Sequence, residues 1–412
     1  MKKVYLFSLL IILVALACGQ METNNYMSRL IDEADTMPGK EAYCGLSNAD
    51  AFRLGGSTWK DTSIIKYYIE YVELDKDGKK IINYFNNSDK KYISEKTDKS
   101  FKAWQPHIGI PIVEVDNKKE ANLLIQFKLL AEEGIGGLVA LSDFPPNKDE
   151  YTGNGKRRLT TVRMDLYDMW QYVKDRDKAK HKYETVLLHE LGHTLASLSH
   201  NSEYSLMNTN NKFKTIQIDD AQGARTAYGK HENFDFGGNR YTWIENKNIP
   251  ATLNFTQKEL FSHCNNYNYK NGHFLSVKTI AGIQFIRTQY NCPIKILSSL
   301  RDVSCNYMNK GAKYSQHIFA NGLDFKFVGK NAAKARKQYL ADIKSKNANL
   351  NTLLLIGVKG FGSYPSGSFH VDSREVPHGN HRVNGIEFIT WGLFRSTNKN
   401  AYQIYDEYEL YD

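Results

Sequence analysis

The sequence predicts an α+β chain built as two domains. The 412 residues are more than a single hydrophobic core usually organises. Short runs rich in β-branched and aromatic residues alternate with stretches of helical spacing, before and after a polar, glycine-bearing break at residues 231–249. Charge divides at the same break: residues 1–230 sum to +1 and residues 231–412 to +8.

Residues 1–18 read as an export signal. Lys2-Lys3 is a basic start, Val4 to Ala17 is apolar, and Ala15-Leu16-Ala17 has the small residues of a cleavage site. The apolar run is too short to span a bilayer comfortably. Cys18 follows directly and resembles a bacterial lipobox cysteine, with Ala15 where leucine is usual. Lipidation there implies a cell-envelope protein held by its acyl chains, with the outer membrane as the expected site. Plain cleavage implies secretion. Both destinations permit disulfides, and Cys44, Cys264, Cys292 and Cys305 are numerous enough for two. Three of them lie in the second half, so at least one is free or bridges the halves.

Residues 19–54 are a polar pro-segment or linker. The first domain is expected over residues 55–230. Ile64-Ile65-Lys66-Tyr67-Tyr68-Ile69 predicts a strand, Lys91 to Gln105 a helix ending ahead of Pro106, and Ile112 to Val115 a second strand. Ala121 to Phe127 predicts a third.

The chemistry is concentrated in Thr185 to Asn201. His189 and His193 are four apart, share one face of a helix, and can hold a single zinc ion. Glu190 stands beside them, where a carboxylate can take a proton from water that zinc acidifies. His200 offers a third imidazole after a turn. Chance alone yields this five-residue pattern in roughly a few per cent of chains this long, but the apolar lead-in Thr185 to Leu188 and the later imidazole make coincidence a poor explanation.

With Ser205-Leu206-Met207-Asn208 the stretch resembles the matrixins, the matrix-metalloproteinase-like metzincins, whose pattern is His-Glu-x-x-His-x-x-Gly-x-x-His followed by a methionine turn. Two departures stand out. Ala196 occupies the glycine position, and the third histidine falls one residue late, at His200, yet Met207 keeps the family's distance of 18 residues from His189. The resemblance continues through the closing segment Ile218 to Gly229 and covers about residues 55–229. It implies a mixed five-stranded sheet with an active-site helix, Gly136 to Pro146 as the edge strand that pairs with extended peptide, Glu190 as general base, and zinc on His189, His193 and His200. Matrixin propeptides block their zinc with a cysteine followed by glycine. Cys44-Gly45 resembles that latch without its usual arginine and proline, so a disulfide or a free thiol stays open. Leu141 stands where a structural-zinc histidine is usual, and Leu159 to Asp165 lacks an acidic cluster. No structural zinc and little calcium binding are expected.

Residues 231–249 are expected as a linker. The second domain, 250–412, offers a helix near Leu275 to Arg287 and a buried strand from Pro293 to Arg301, and it ends in an acidic tail. His317, Asp324 and His370 make a sound zinc set with one coordination position left for water. Ser315-Gln316-His317 with Asp324 seven residues on, then His370-Val371-Asp372, resembles the zinc D-Ala-D-Ala carboxypeptidase family over about residues 250–393. That resemblance implies a second small α+β zinc-peptidase fold acting on peptidoglycan peptides, with Arg301 pairing with a substrate carboxylate. Ala320 replaces the usual turn glycine, and Gly367 stands where many members carry an acid. Asp372 is then either the general base or an orienter of His370.

The expected molecule is an exported bacterial zinc peptidase with one zinc per domain. Its partners are protein substrates, wall peptides and, through Cys18, a membrane. Export makes nucleic acid the least expected partner of the basic half. The alternative is an envelope lipoprotein whose second domain has lost catalysis and serves wall adhesion.

Overall fold

The computed structural model describes residues 58–392 apart from residues 60–61, 72, 75–79, 83–84, 131–137, 146–158, 176–181, 201–204, 209–213, 262–271, 302, 310, 312–314 and 375–380. Cys18, Cys44, Cys264, Gly136 and the acidic tail lie outside the described residues.

The first half holds a five-stranded mixed sheet, ordered β2-β1-β3-β5-β4, from β1 (Ile65–Glu70), β2 (Ile112–Glu114), β3 (Leu123–Lys128), β4 (Ala140–Ser142) and β5 (Thr160–Asp165). All pairs are parallel except β4 with β5. β4 is therefore an antiparallel edge. Along β1 burial alternates, so Ile65, Tyr67 and Ile69 face inward. They meet α1 (Asn87–Ile108), whose stripe Ile93, Thr97, Phe101, Trp104 and Ile108 repeats at helical spacing. Tyr67 and Phe101 stack at 4.2 Å.

α1 is longer than the expected Lys91 to Gln105. It starts earlier because Asn86 caps it in a reciprocal box with Asp89. It also continues two residues past Pro106, which deletes one backbone donor in the last turn but does not stop the chain. Gly109, at φ 71°, ends the helix in the left-handed region and donates to the Gln105 carbonyl. After the sheet come α2 (Leu166–Lys174), α3 (Tyr183–Thr194) and α4 (Ile218–Ala227).

Residues 231–249 are not a linker. They contain a hairpin, β6 (Phe234–Phe236) and β7 (Asn239–Ile244), turned by Gly237 and Gly238 at φ 52° and 74°. β7 pairs onward with β8 (His273–Ser276), so the hairpin belongs to the sheet that opens the second half. Its aromatic residues also reach back. Phe234 lies 6.2 Å from the His107 ring, and the Arg225 guanidinium covers Phe234 at 4.5 Å. One apolar core runs from the first sheet through Tyr241 and Trp243 to Phe274, Leu300 and Ala320.

The rest of the second half is a six-stranded sheet ordered β9-β10-β12-β11-β14-β13: β9 (Ile294–Ser298), β10 (Gly322–Phe327), β11 (Gly360–Ser363), β12 (Phe369–Asp372), β13 (His381–Val383) and β14 (Ile386–Gly392). β9 is shorter than the expected Pro293 to Arg301, and the expected helix begins at Val277 because Leu275 belongs to β8: α5 is Val277–Gln289. On one face Phe325, Phe327 and Phe369 pack on Tyr339 of α6 (Ala332–Ser345). Strand alternation sends Asp324, His370 and Asp372 to the other face. Among the described residues Cys292 is a buried free thiol and Cys305 is disulfide-bonded, so Cys292 is the unbridged member of the second-half cysteines.

Candidate metal centres

α3 carries the first centre. Every residue of the helix except Glu184 is buried, and it is anchored from α1: Trp104 Nε1–H donates to the Leu188 carbonyl at 2.9 Å, and Thr97 bonds the Tyr183 hydroxyl at 2.8 Å. Its C-terminal end is held as well, since Trp59 Nε1–H donates to the Thr194 carbonyl and the Tyr228 hydroxyl to that of Leu195.

His189, His193 and His200 converge. Their Nε2 atoms lie 3.2 Å (His189 to His200) and 3.1 Å (His193 to His200) apart. The outer nitrogens are already committed. His189 Nδ1–H donates to the Leu206 carbonyl at 2.8 Å and His193 Nδ1–H to that of Leu198 at 2.5 Å. In the neutral rings this leaves lone pairs on the inward Nε2 atoms. Burial, with neighbouring imidazoles, keeps both rings neutral: His189 is lowered to about 3 and His193 is also well below its ordinary value. A tetrahedral zinc with bonds of about 2.0–2.1 Å sets its donors roughly 3.3 Å apart. The three nitrogens fit that ion with one position open.

The late histidine has a backbone explanation. Ser197, not Ala196, takes the left-handed conformation after α3, at φ 57°, and Leu198 N–H donates to the Gly192 carbonyl. The left-handed residue has moved one place down the chain, so its three-residue separation from the third histidine is kept.

Asp220 on α4 supports the centre from beneath. Its buried carboxylate accepts from the backbone N–H of Leu206 and of Gln217, both at 2.8 Å, and from the Ser205 hydroxyl. Burial raises its pKa to about 6 despite these bonds. Asp220 thus fixes the turn whose carbonyl orients His189. A Cβ on Gly192 would lie 2.2 Å from Met207 Sδ, so the methionine packs directly against the helix. Sequence reasoning did not single out Asp220, whose visible signal is a pair of acids, Asp219 and Asp220, in the first turn of α4. It also missed Ser142, whose hydroxyl on edge strand β4 donates to Glu190 Oε2 at 2.6 Å. Glu190 itself is buried beside His189.

The second centre is assembled across the sheet. Strand register puts Ser298 opposite Asp324, Asp324 opposite His370, and His370 opposite Gly362. His317 arrives from the turn before β10. His317 Nε2 lies 3.1 Å from His370 Nδ1 and 3.2 Å from Asp324 Oδ1, with Asp324 Oδ1 2.9 Å from His370 Nδ1. His317 Nδ1–H is held by the Ser299 carbonyl at 2.5 Å. His370 Nε2 is held by Asp372 at 2.9 Å. This donor set also fits zinc. Burial and the neighbouring Arg301 lower His317, whereas bonds to Asp324 and Asp372 raise His370 against its burial. Asp324 stays far below the carboxylate range because both imidazoles outweigh its burial. Gly322 is required here: a Cβ would stand 2.9 Å from His370 Cε1.

Two residues near this centre have their interactions displayed. Arg301 donates to Asp324 and, through Nε, to Ser298 at 2.7 Å, so its guanidinium sits on a metal-site carboxylate. Asp372 accepts from Arg374 on both oxygens, at 2.7 and 2.5 Å, while Arg374 lies over Trp391. The carboxylate is thus clamped by Arg374 and bonded to the outer nitrogen of His370, an arrangement that matches a ring-orienting group. Gly367 lies in the turn from Tyr364 to Ser368 at φ 86°.

Residues 75–229 match the family model described as Matrixin, and residues 253–350 match the one described as Peptidase M15. The chain joins a matrixin domain to a peptidase M15 domain. It is a zinc-peptidase chain on both counts. The M15 match includes His317 and Asp324 but ends before His370, which the strand register adds. No curated protein matches the chain.

Proposed function

We propose that the chain is an exported zinc peptidase whose matrixin domain is an endopeptidase on extended protein substrates and whose M15 domain acts on peptidoglycan peptides. The observation that carries the reading is the convergence of three imidazole nitrogens beside Glu190, next to the edge strand β4. The export signal and Cys18 support an envelope location. Among the described residues no helix is long and apolar enough to cross a membrane.

Zinc held by His189, His193 and His200 supplies Lewis acidity toward a peptide carbonyl and acidifies water. The protein does the rest. β4 offers its outer backbone groups to an extended chain, which suits many sequences because main-chain bonds carry the affinity. Glu190 takes the proton of the attacking water and returns it to the leaving amine. Burial of the site strengthens these charges.

In the second domain, His317, Asp324 and His370 would hold zinc, and Asp372 would keep His370 in place. A second reading, wall adhesion without turnover, is favoured by one observation: Asp372, the carboxylate bonded to His370, is occupied by Arg374. Zinc-replete protein is tested on casein and on purified wall material, with His193→Ala and His317→Ala in parallel. The proposal expects each variant to lose one activity and keep the other. Wall binding without hydrolysis, unchanged kinetically by His317→Ala, would replace it with adhesion.

A further inference from the structure

Three features outside the ligand sets invite explanation: the buried His107 between the halves, the exposed cross-strand pair Lys295 and Lys326, and the contact from β4 to Glu190. Lys295 lies on the edge strand β9, where a lysine serves to block unwanted pairing, and His107 bears on stability. The β4 contact joins a substrate-binding element to a reacting group.

We propose that Ser142 is a positioning residue: its hydroxyl holds the Glu190 carboxylate and couples edge strand β4 to the general base. The proposal rests on the endopeptidase reading of the first domain. Ser142 is the last residue of β4, half-buried, with Oγ 2.6 Å from Glu190 Oε2. A hydroxyl on a buried carboxylate makes a short, charge-assisted bond that restricts the side chain's rotation.

A second tie makes the coupling rigid. The Asp143 carbonyl accepts from Thr194 Oγ1 at 3.0 Å. Glu190 and Thr194 are one turn apart on α3, so the strand end is fastened to the catalytic helix at two points on one face. Asp143 is itself fixed, its carboxylate accepting from the N–H of Thr161 at 3.0 Å and its hydroxyl at 2.6 Å. A peptide added to β4 is thereby brought into register with Glu190 by the strand to which it is bonded. Placement of the base then does not depend on the substrate's own side chains, which suits an enzyme that accepts many sequences.

The test uses the full-length, zinc-loaded chain and initial rates over a range of labelled casein. Ser142→Ala should lower kcat about tenfold while KM stays within about twofold, the loss expected for a hydrogen bond to a charged group. Zinc content should not change. The isosteric pair Ser142→Thr and Ser142→Val makes the same comparison if the alanine variant folds poorly: threonine should restore most of kcat and valine should not. Full kcat in the alanine or valine variant, a threonine variant no better than valine, or loss of zinc with activity would overturn the proposal. Glu190→Ala, run alongside, separates the two layers of the argument. If it is inactive while Ser142→Ala is fully active, only the role of Ser142 falls. If Glu190→Ala stays active, the endopeptidase mechanism falls and takes the proposal with it.

Discussion

Single backbone angles decide how the two centres are built. Ser197 at φ 57° and Ala320 at φ 56° place side chains where glycine is favoured, each in the turn beside a metal-site histidine. Ser197→Gly should therefore raise stability by roughly 1 kcal/mol with zinc retained. Ala196→Gly should not stabilise. Thermal unfolding of both variants checks this, and stabilisation by Ala196→Gly alone would mean that the turn has the other register. Asp372 invites a similar comparison. As an orienter of His370 it predicts that Asp372→Asn weakens zinc binding at the second centre about 10- to 100-fold. Unchanged zinc affinity with turnover lost would make Asp372 the base instead. At this scale the sequence was informative about residue types and poor about their surroundings. His189, Glu190 and His193 follow from helical spacing. The partners of Asp220, Ser142 and Arg301 depend on folding and could not be read from a one-dimensional pattern.

Among the elements, the hairpin of β6 and β7 changes where the chain can be cut. Tyr241 donates to Asn321 at 2.8 Å, Asn239 to the Ser373 carbonyl at 3.2 Å, and Ser276 bonds the Ser373 hydroxyl at 2.7 Å. Asn321 lies between His317 and Asp324, and Ser373 follows Asp372, so the hairpin steadies both loops of the second centre. A fragment starting at residue 231 should bind zinc more tightly than one starting at 245, which lacks the paired strand. Equal zinc affinity and equal melting temperature would show that the hairpin is dispensable. The hairpin looked like a linker because Gly237, Gly238 and the surrounding asparagines are turn-formers, and its aromatic residues alternate over only a few positions. Pro106 misled for a related reason: a proline in a last turn removes one bond, and the cap at Gly109 still closes the helix.

For the whole molecule, the shared core makes the halves depend on one another, and acid should expose this. His107 lies buried among Trp104, Phe234 and Phe236, with Nδ1 lacking a hydrogen-bond partner. Burial, aided by the nearby Arg225, lowers it to about 4. An unfolded chain protonates this ring near pH 6.5, so its contribution is complete above that pH and is lost as pH falls toward 4. The loss is on the order of 3 kcal/mol. His273, also lowered to about 4 by burial, adds to it. His107→Gln should flatten the drop in melting temperature between pH 7 and 5, and a drop equal to that of the parent would exclude His107 as a source.

The central claim is that Glu190 is a proton-transferring base at a three-histidine zinc site and not one of its ligands. Casein cleavage and zinc content of the first centre, measured together on the parent chain and on Glu190→Ala, test it most directly. The structure predicts that the variant keeps its zinc and its fold and loses cleavage by several orders of magnitude. A variant that still cleaves casein at a comparable rate, or one that loses its zinc, would contradict the account.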